Sequence, residues 1–565
     1  MSKMKDIQFE QVNYDQWKEQ AISALKGKPF KSLFTRSIEG ITLQPLYTQE
    51  TLVDKLGEKL EKQITTIRKL KASTSFSPAQ QIFGHTEDQF FSNITNSIER
   101  GNAVLTIDSQ VSFEWSEQSL SKLATLLSNH EFKLLVRDSS DVLLSVFETI
   151  EESKRENVKG YIISDEPIIL KSYPKIRTIC ANTIPYHYEG ANAVQELALT
   201  LAIARKYVEE NNFESFANKF FVNFAIDTNF FSEIAKLRAV KVLWKALSTA
   251  YGVSENITLP IVAETSLRSY SKLDVYVNLL RAGNEAFSAL IGGADVFTVH
   301  PHDVLTKPTD QSIRIARNVI LVLKEESLVQ NVIDPSGGSY FIETLTSEYV
   351  EQAWKLFLEI EEAGGLDAYS QSGKLTALME EVNEGRQNAL ATRKQSLIGT
   401  NIYANPSDEL QTVTNPIFAY VNRLATPFEE LRSTYETIRP KIAILTFGQL
   451  KNFKARADFV SGFFSTAGIV CEQSGEIKTI DAAKEWLMNN NYDYVVVATT
   501  DDDTKEIVPE LLAIKPKDLL LDVAGRFKDE EGEWQAKGLN GFIYAGQNVI
   551  EKLNEVANRL KGVQS

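Results

Sequence analysis

Five histidines are the only imidazoles in the 565 residues: His85, His130, His187, His300 and His302, with none from 303 onward. Whatever the C-terminal part of the chain does, it has no imidazole to act as base, metal ligand or proton shuttle. His187 stands in Tyr186-His-Tyr-Glu-Gly190, just after a β-branched run. A group at the C-terminal end of a parallel strand lies where an α/β barrel places its catalytic side chains. The competing reading is a hydrogen-bonded structural histidine. His300 and His302 flank Pro301 after a second such run, a spacing that would suit a metal or a phosphate but is more simply an ordinary loop. Asp501-Asp-Asp503 could hold a hard cation. Placed between a strand and a helix, however, these carboxylates cap the helix and meet its dipole. Gly292-Gly293 and Gly337-Gly338 could offer backbone N–H groups to a phosphate or simply make tight turns; Asp334 and Pro335 are turn formers. No GxxxxGK[ST], GxGxxG after a strand, HExxH or GxSxG occurs, which removes the commonest nucleotide, zinc-protease and hydrolase readings.

These groups need elements to position them. Short β-branched runs, each followed by an amphipathic stretch of helical length, lie at Ala103–Ile107, Lys133–Arg137, Gly160–Ser164, Thr178–Asn182, Phe221–Ile226, Thr258–Ala263 and Asp295–Val299. They read as buried parallel strands with helical crossovers. With an eighth expected near Thr65–Leu70, the rhythm predicts a closed (β/α)₈ barrel, an open doubly wound sheet being the competitor. Ahead of it, Tyr14–Leu25 has helical spacing and Gly40–Tyr47 reads as a strand running into a turn. A long helix is expected from Ser347 through Glu362, stopped by Gly364-Gly365. Residues 396–439 lose the alternation and gather Asn, Pro, Ser and Thr, as a linker does. The βα rhythm then restarts, with strands expected at Lys441–Phe447, Gly468–Glu472, Tyr492–Ala498, Leu519–Val523 and Gly541–Tyr544 and a final helix at Asn548–Lys561. Five parallel strands in this length predict a flavodoxin-like doubly wound domain.

Sixty Lys and Arg against 75 Asp and Glu leave a net charge of −15, the wrong sign for a nucleic-acid binder. At 43% hydrophobic and 24% charged, the chain can bury large cores, so disorder is not its main state. No run approaches the roughly 18 apolar residues that span a bilayer. Cys180 and Cys471 lie outside any CxxC pattern and fit a reducing cytoplasm rather than a disulfide framework or thiolate metal site.

Several strings, in this order and spacing, resemble the adenosylcobalamin-dependent methylmalonyl-CoA mutases over nearly the whole chain. They are Leu25-Lys-Gly-Lys-Pro-Phe30, Glu39-Gly-Ile-Thr-Leu-Gln-Pro-Leu-Tyr47, Tyr186-His187, Ala193-Val-Gln-Glu-Leu197, Glu233-Ile-Ala-Lys-Leu-Arg238, Arg314-Ile-Ala-Arg-Asn318, Asp334-Pro-Ser-Gly-Gly-Ser-Tyr340 and Ile360-Glu-Glu-Ala-Gly-Gly365. The resemblance implies an N-terminal arm (1–40) that wraps a partner, an acyl-CoA-mutase-type barrel (41–395), a linker (396–439) and a degenerate cobalamin-binding-like domain (440–565).

The departures point away from catalysis. Catalytic chains of that family carry DxHxxG after the first strand of the C-terminal domain, the histidine being the lower cobalt ligand. Here Leu450, Asn452 and Ala455 stand at the Asp, His and Gly positions, and no histidine exists nearby to replace it. The family's tyrosine over the corrin is missing as well, since no tyrosine occurs from 48 to 160. Ile162-Ile-Ser-Asp-Glu166 stands where TxQND is expected, and Thr499-Thr500 and Ala524-Gly525 match the family's Ser and Gly-Gly contacts only in part. His187 matches the histidine that contacts the substrate thioester and is the one residual catalytic candidate. The resemblance therefore implies a small (β) subunit without catalytic, cofactor-binding or metal residues of its own. Its partner would be a large (α) subunit that binds adenosylcobalamin and interconverts methylmalonyl-CoA and succinyl-CoA. A divergent mutase without a histidine ligand to cobalt, or an acyl-CoA-sensing subunit using His187, are the alternatives.

Overall fold

In a computed structural model, which describes residues 12–71, 73–208 and 212–564, the chain divides into two compact units. One comprises residues up to Glu264 with Glu285–Thr298 and Leu321–Val382; the other comprises Thr265–Asn284, Val299–Ile320 and Asn383 to the C-terminus. No helix among the described residues is long and apolar enough to cross a membrane.

The first unit is built on parallel strands β1 (Ser77–Gln81), β2 (Val104–Asp108), β3 (Glu131–Leu135), β4 (Gly160–Ile163), β5 (Ile176–Arg177, continuing after Thr178 as Ile179–Asn182), β6 (Phe220–Ile226), β7 (Ile261–Thr265) and β8 (Val296–Thr298). Each pairs with the next, and β8 pairs with β1, Thr298 opposite Ala79. The two outermost segments of this sheet are the two halves of β5: Ile176 pairs with Gly160 of β4, and Ile179 with Phe220 of β6. One extended run thus joins both ends of the sheet into a ring of eight, the arrangement of a TIM-type barrel.

The alternation along the strands decides what fills the ring. Ala79, Val104, Ile163, Phe221, Val262 and Val296 form one buried cluster, with Leu135, Tyr161 and Cys180 packed on it. The opposite faces, among them Leu105, Ile107, Phe132, Leu134 and Ile162, pack with Phe90, Ile94, Leu123 and Leu127 from the helices after β1 and β2.

Seven of the expected barrel strands are present. The eighth does not lie at Thr65–Leu70: that stretch belongs to the helix Lys59–Leu70, where Gln63, Ile67 and Leu70 are buried at helical spacing, and the eighth strand is Ser77–Gln81. Its sequence, Ser-Pro-Ala-Gln-Gln, has no β-branched residue. The long helix also starts earlier than expected, at Tyr340, because Ser339 caps it by accepting from the Ile342 N–H.

The second unit contains a five-stranded parallel sheet: β9 (Ile442–Thr446), β10 (Glu472–Gln473), β11 (Tyr494–Ala498), β12 (Leu520–Ala524) and β13 (Gly541–Ile543), in spatial order β10-β9-β11-β12-β13. The second of these falls later than the expected Gly468–Glu472, since Gly468 takes φ +78° at the end of the preceding helix. Ile442 and Ile444 of β9 face one core with Phe453, Val460, Phe464, Leu553 and Val556. Ala443 and Leu445 face the other, with Ala483, Leu487, Ile507 and Leu511. Helices therefore cover both faces. Within 396–439, Thr426–Ile438 is itself a helix, and its Leu431, Tyr435 and Ile438 belong to the first of these cores.

Candidate functional site

His187 lies on the short helix Ile184–Glu189, which Pro185 starts and Gly190, at φ +123°, ends. Its ring is fully buried, and Nδ1 is 2.8 Å from Glu196 Oε1. Glu196 projects from the helix Ala193–Val208, whose entry is fixed by reciprocal side-chain bonds between Asn192 and Gln195. The second oxygen of Glu196 accepts from the Thr183 hydroxyl at 3.2 Å and from Lys236 Nζ at 3.1 Å. Lys236, on the helix Phe230–Ala250, also donates to the Ala225 carbonyl and pairs with Glu233 at 2.7 Å.

All five groups are at most 4% exposed, so the low dielectric magnifies both attraction and desolvation. Burial raises Glu233 to about 7, even though Lys236 pulls it down. Burial acts to lower Lys236, but the combined pull of Glu196 and Glu233 wins and raises it. An ionised Glu196 can only accept, so His187 donates from Nδ1, which fixes its tautomer. The arrangement resembles the carboxylate–imidazole pairs that orient a catalytic histidine. Here it is sealed, and His187 exposes no surface to a substrate.

The barrel axis beside it is closed by side chains. The Tyr161 and Phe221 rings lie 5.1 Å apart, Lys133 spans to Glu264 at 2.8 Å with its own side chain fully buried, and Asn223 donates to Asn182 at 3.0 Å. At this level the barrel interior is filled by side chains, as in other barrels of this type.

The other expected groups do not assemble into a site. The His300 ring meets Phe418 edge-on at 5.2 Å, and His302 stacks on Tyr276 at 5.2 Å, burial lowering its pKa. Among the described residues, no group of three or more His, Cys, Asp or Glu could hold a metal ion. Asp501-Asp-Asp503 forms the first turn of the helix Asp501–Ile514, where Thr500 accepts from the Asp503 N–H. Gly292 packs so closely that a Cβ would lie 2.7 Å from Leu237, and the carbonyls of Gly292 and Gly293 both accept from Lys241. Gly338 gives its N–H to Glu343 at 3.0 Å rather than to a phosphate, and Arg238 links Glu343 to Asp334.

This last network exposes what sequence reasoning missed. Tyr186-His187, Ala193–Leu197 and Glu233–Arg238 meet at the His187 cluster. Arg238 carries the connection on to Asp334 and Glu343, and Gln63 donates to Glu343 at 2.7 Å. The Glu-x-x-Lys spacing of Glu233 and Lys236 was the one local signal of an ion pair.

A family model described as methylmalonyl-CoA mutase matches residues 167–437, which contain this whole cluster apart from Gln63. The methylmalonyl-CoA mutase small subunit of Porphyromonas gingivalis is 29% identical, over 97% of this chain and 97% of its own length. The chain belongs to the methylmalonyl-CoA mutase family. Within that family, the small subunit of Propionibacterium freudenreichii subsp. shermanii is 26% identical over 98% of this chain and 95% of its own. A probable small subunit from Mycobacterium bovis is 30% identical over 68% and 65%.

Membership of the methylmalonyl-CoA mutase family implies cobalamin, whose cobalt the DxHxxG positions would have to meet. Leu450, 54% exposed, opens the helix Leu450–Ser465 and has no polar side-chain atom. Asn452 turns its amide toward Asp503, 3.5 Å away, and Ala455 continues the same helix. A carboxamide and two apolar side chains do not fit a cobalt-ligating site.

Proposed function

We propose that this chain is the small, non-catalytic subunit of a methylmalonyl-CoA mutase. It supports a large subunit that holds adenosylcobalamin and interconverts (R)-methylmalonyl-CoA and succinyl-CoA by radical rearrangement, a step of propionate metabolism in the cytoplasm. The observation that carries this reading is the replacement of the cobalt-ligand motif by Leu450, Asn452 and Ala455 in a chain with no histidine after residue 302. The packed barrel axis and the burial of His187 support it. In this reading the barrel spans 41–395, 396–439 is the linker, and 440–565 is a flavodoxin-type, cobalamin-binding-like domain that binds no corrinoid.

The heterodimer is supported by the arm, which the proposal places at 1–40. Its helix Tyr14–Ala24 buries no residue, although Tyr14, Trp17, Phe30 and Phe34 form a ladder of rings 5.6 to 6.2 Å apart. A helix of that length is marginal alone in water, and a partner's surface would cover the ladder.

Co-expression of a tagged chain with a large homologue that carries DxHxxG tests the proposal. Stoichiometric co-elution is expected, with mutase activity requiring the large chain. Turnover by the isolated small chain with adenosylcobalamin refutes it and favours the divergent mutase. The retained His187 cluster is the one observation that favours an acyl-CoA-sensing subunit; calorimetric titration with CoA esters, lost in His187→Ala, would establish that reading instead.

A further inference from the structure

In a doubly wound sheet, ligands enter at the switch point, where loops from neighbouring strands diverge to opposite faces. Here that point lies between β9 and β11. The helix after β9, Leu450–Ser465, packs in one core, and the helix after β11, Asp501–Ile514, packs in the other. The mouth between them is stitched shut by the chain itself. The Thr499 hydroxyl donates to the Phe447 carbonyl at 2.8 Å, joining the two loops directly. Arg456, from the first helix, donates through Nη1 to the Thr499 carbonyl at 2.6 Å and through Nη2 to Asp501. Its guanidinium also lies over the Phe527 ring, 5.8 Å from the centroid. Gly525 lines the same spot, and a Cβ there would come within 2.9 Å of Phe527 and 3.5 Å of Arg456.

We propose that Arg456 is a strap that closes the switch-point mouth of the C-terminal domain, so that this domain is self-occluded and not merely short of a cobalt ligand. The inference rests on the reading that the chain binds no cobalamin, and deepens it. Arginine suits the task because its planar fork reaches a carbonyl and a carboxylate at once, as the single ammonium of lysine does not. The strap joins elements on opposite faces of the sheet and takes the place in which a ligand would bridge them.

Two measurements test the strap. In the full-length Arg456→Ala variant, hydrogen exchange at the amides of Thr499 to Thr504 should accelerate about fivefold to tenfold while β9 and β12 stay protected, with Arg456→Lys intermediate. Exchange within twofold of the parent overturns the proposal. Separately, Leu450→Asp/Asn452→His/Ala455→Gly, with Arg456 kept, should retain no hydroxocobalamin through gel filtration. Retention by that variant, with its visible spectrum altered by imidazole ligation, overturns the strap while leaving the function proposal standing. Retention by the unmodified chain instead refutes the cofactor reading itself, and the exchange result still decides the strap. Circular dichroism confirms that each variant is folded.

Discussion

Replacing Lys236 by methionine keeps most of its volume and deletes the ammonium that pairs with both Glu196 and Glu233. Both carboxylates are at most 4% exposed. Removing one partner of a buried ion pair costs about 3–5 kcal/mol, because the remaining charge has lost its compensation without regaining water. The unit is too large for a single two-state unfolding energy to be meaningful, so the assay is native-state hydrogen exchange in the helix Ala193–Val208, which carries Glu196. At pH 8, and after correction for the intrinsic rate, exchange there should rise by about 10²–10³-fold. The pH dependence has a defined sign. Burial already raises Glu233 to about 7 in the parent, and loss of Lys236 removes the influence that lowers it. A carboxyl whose folded pKa lies above its unfolded value binds more protons when folded, so its penalty grows as pH rises from the unfolded to the folded pKa and vanishes below. The variant's deficit should therefore shrink between pH 8 and pH 5.5, and Glu233→Gln/Lys236→Met should recover part of it at pH 8. Exchange within threefold of the parent at pH 8, or a deficit larger at pH 5.5 than at pH 8, would refute the reasoning.

Phe221→Ala empties the centre of the barrel and should cost about 3–5 kcal/mol locally, read as faster native-state hydrogen exchange in β6 and as a cavity that binds xenon in a crystal; exchange unchanged from the parent would mean that the axis is not packed as described. Lys552→Met strands Asp522, whose Oδ2 accepts from Lys552 at 2.7 Å and from Tyr494 at 2.5 Å in the core of the C-terminal sheet. Denaturant unfolding followed on that domain should show a loss of about 3–5 kcal/mol, and a loss below 1 kcal/mol contradicts the assignment. Truncation of residues 1–34 should leave the thermal midpoint of the isolated chain within a few degrees while weakening capture of the large subunit at least tenfold; unchanged capture would remove the arm from the interface.

Much of the architecture was legible because parallel strands buried on both faces leave continuous apolar runs, as in Tyr494–Ala498, or runs broken by a single polar residue, as in Phe220–Ile226. β1 was not legible, because its place is set by pairing with β2 and β8 and not by the preferences of Ser, Pro, Ala and Gln. Likewise β10, two residues long and exposed, leaves no hydrophobic signature. At the site, His187 was visible as a residue but its environment was not. Glu196 is 9 positions away and Lys236 is 40 from Glu196, so only the fold brings them together. The absence of histidine after residue 302, on which the proposed function rests, could be read directly, since an absent residue type needs no coordinates. The strap across the mouth could not, because Arg456 resembles any arginine on a helix until its partners are known.

The ion network running from His187 through Glu196 and Lys236, and from Arg238 to Asp334 and Glu343, bears on how a relative of an enzyme is recognised at all. The stretches that make this chain look like a mutase are invested in scaffolding: they lock helices to the ring and turn to helix. On the proposed function, a chain that has shed the reaction still carries its strongest marks of kinship, and what those marks transmit from one relative to another is a shape. Chemistry has to be read from the few positions that leave the skeleton standing when they change.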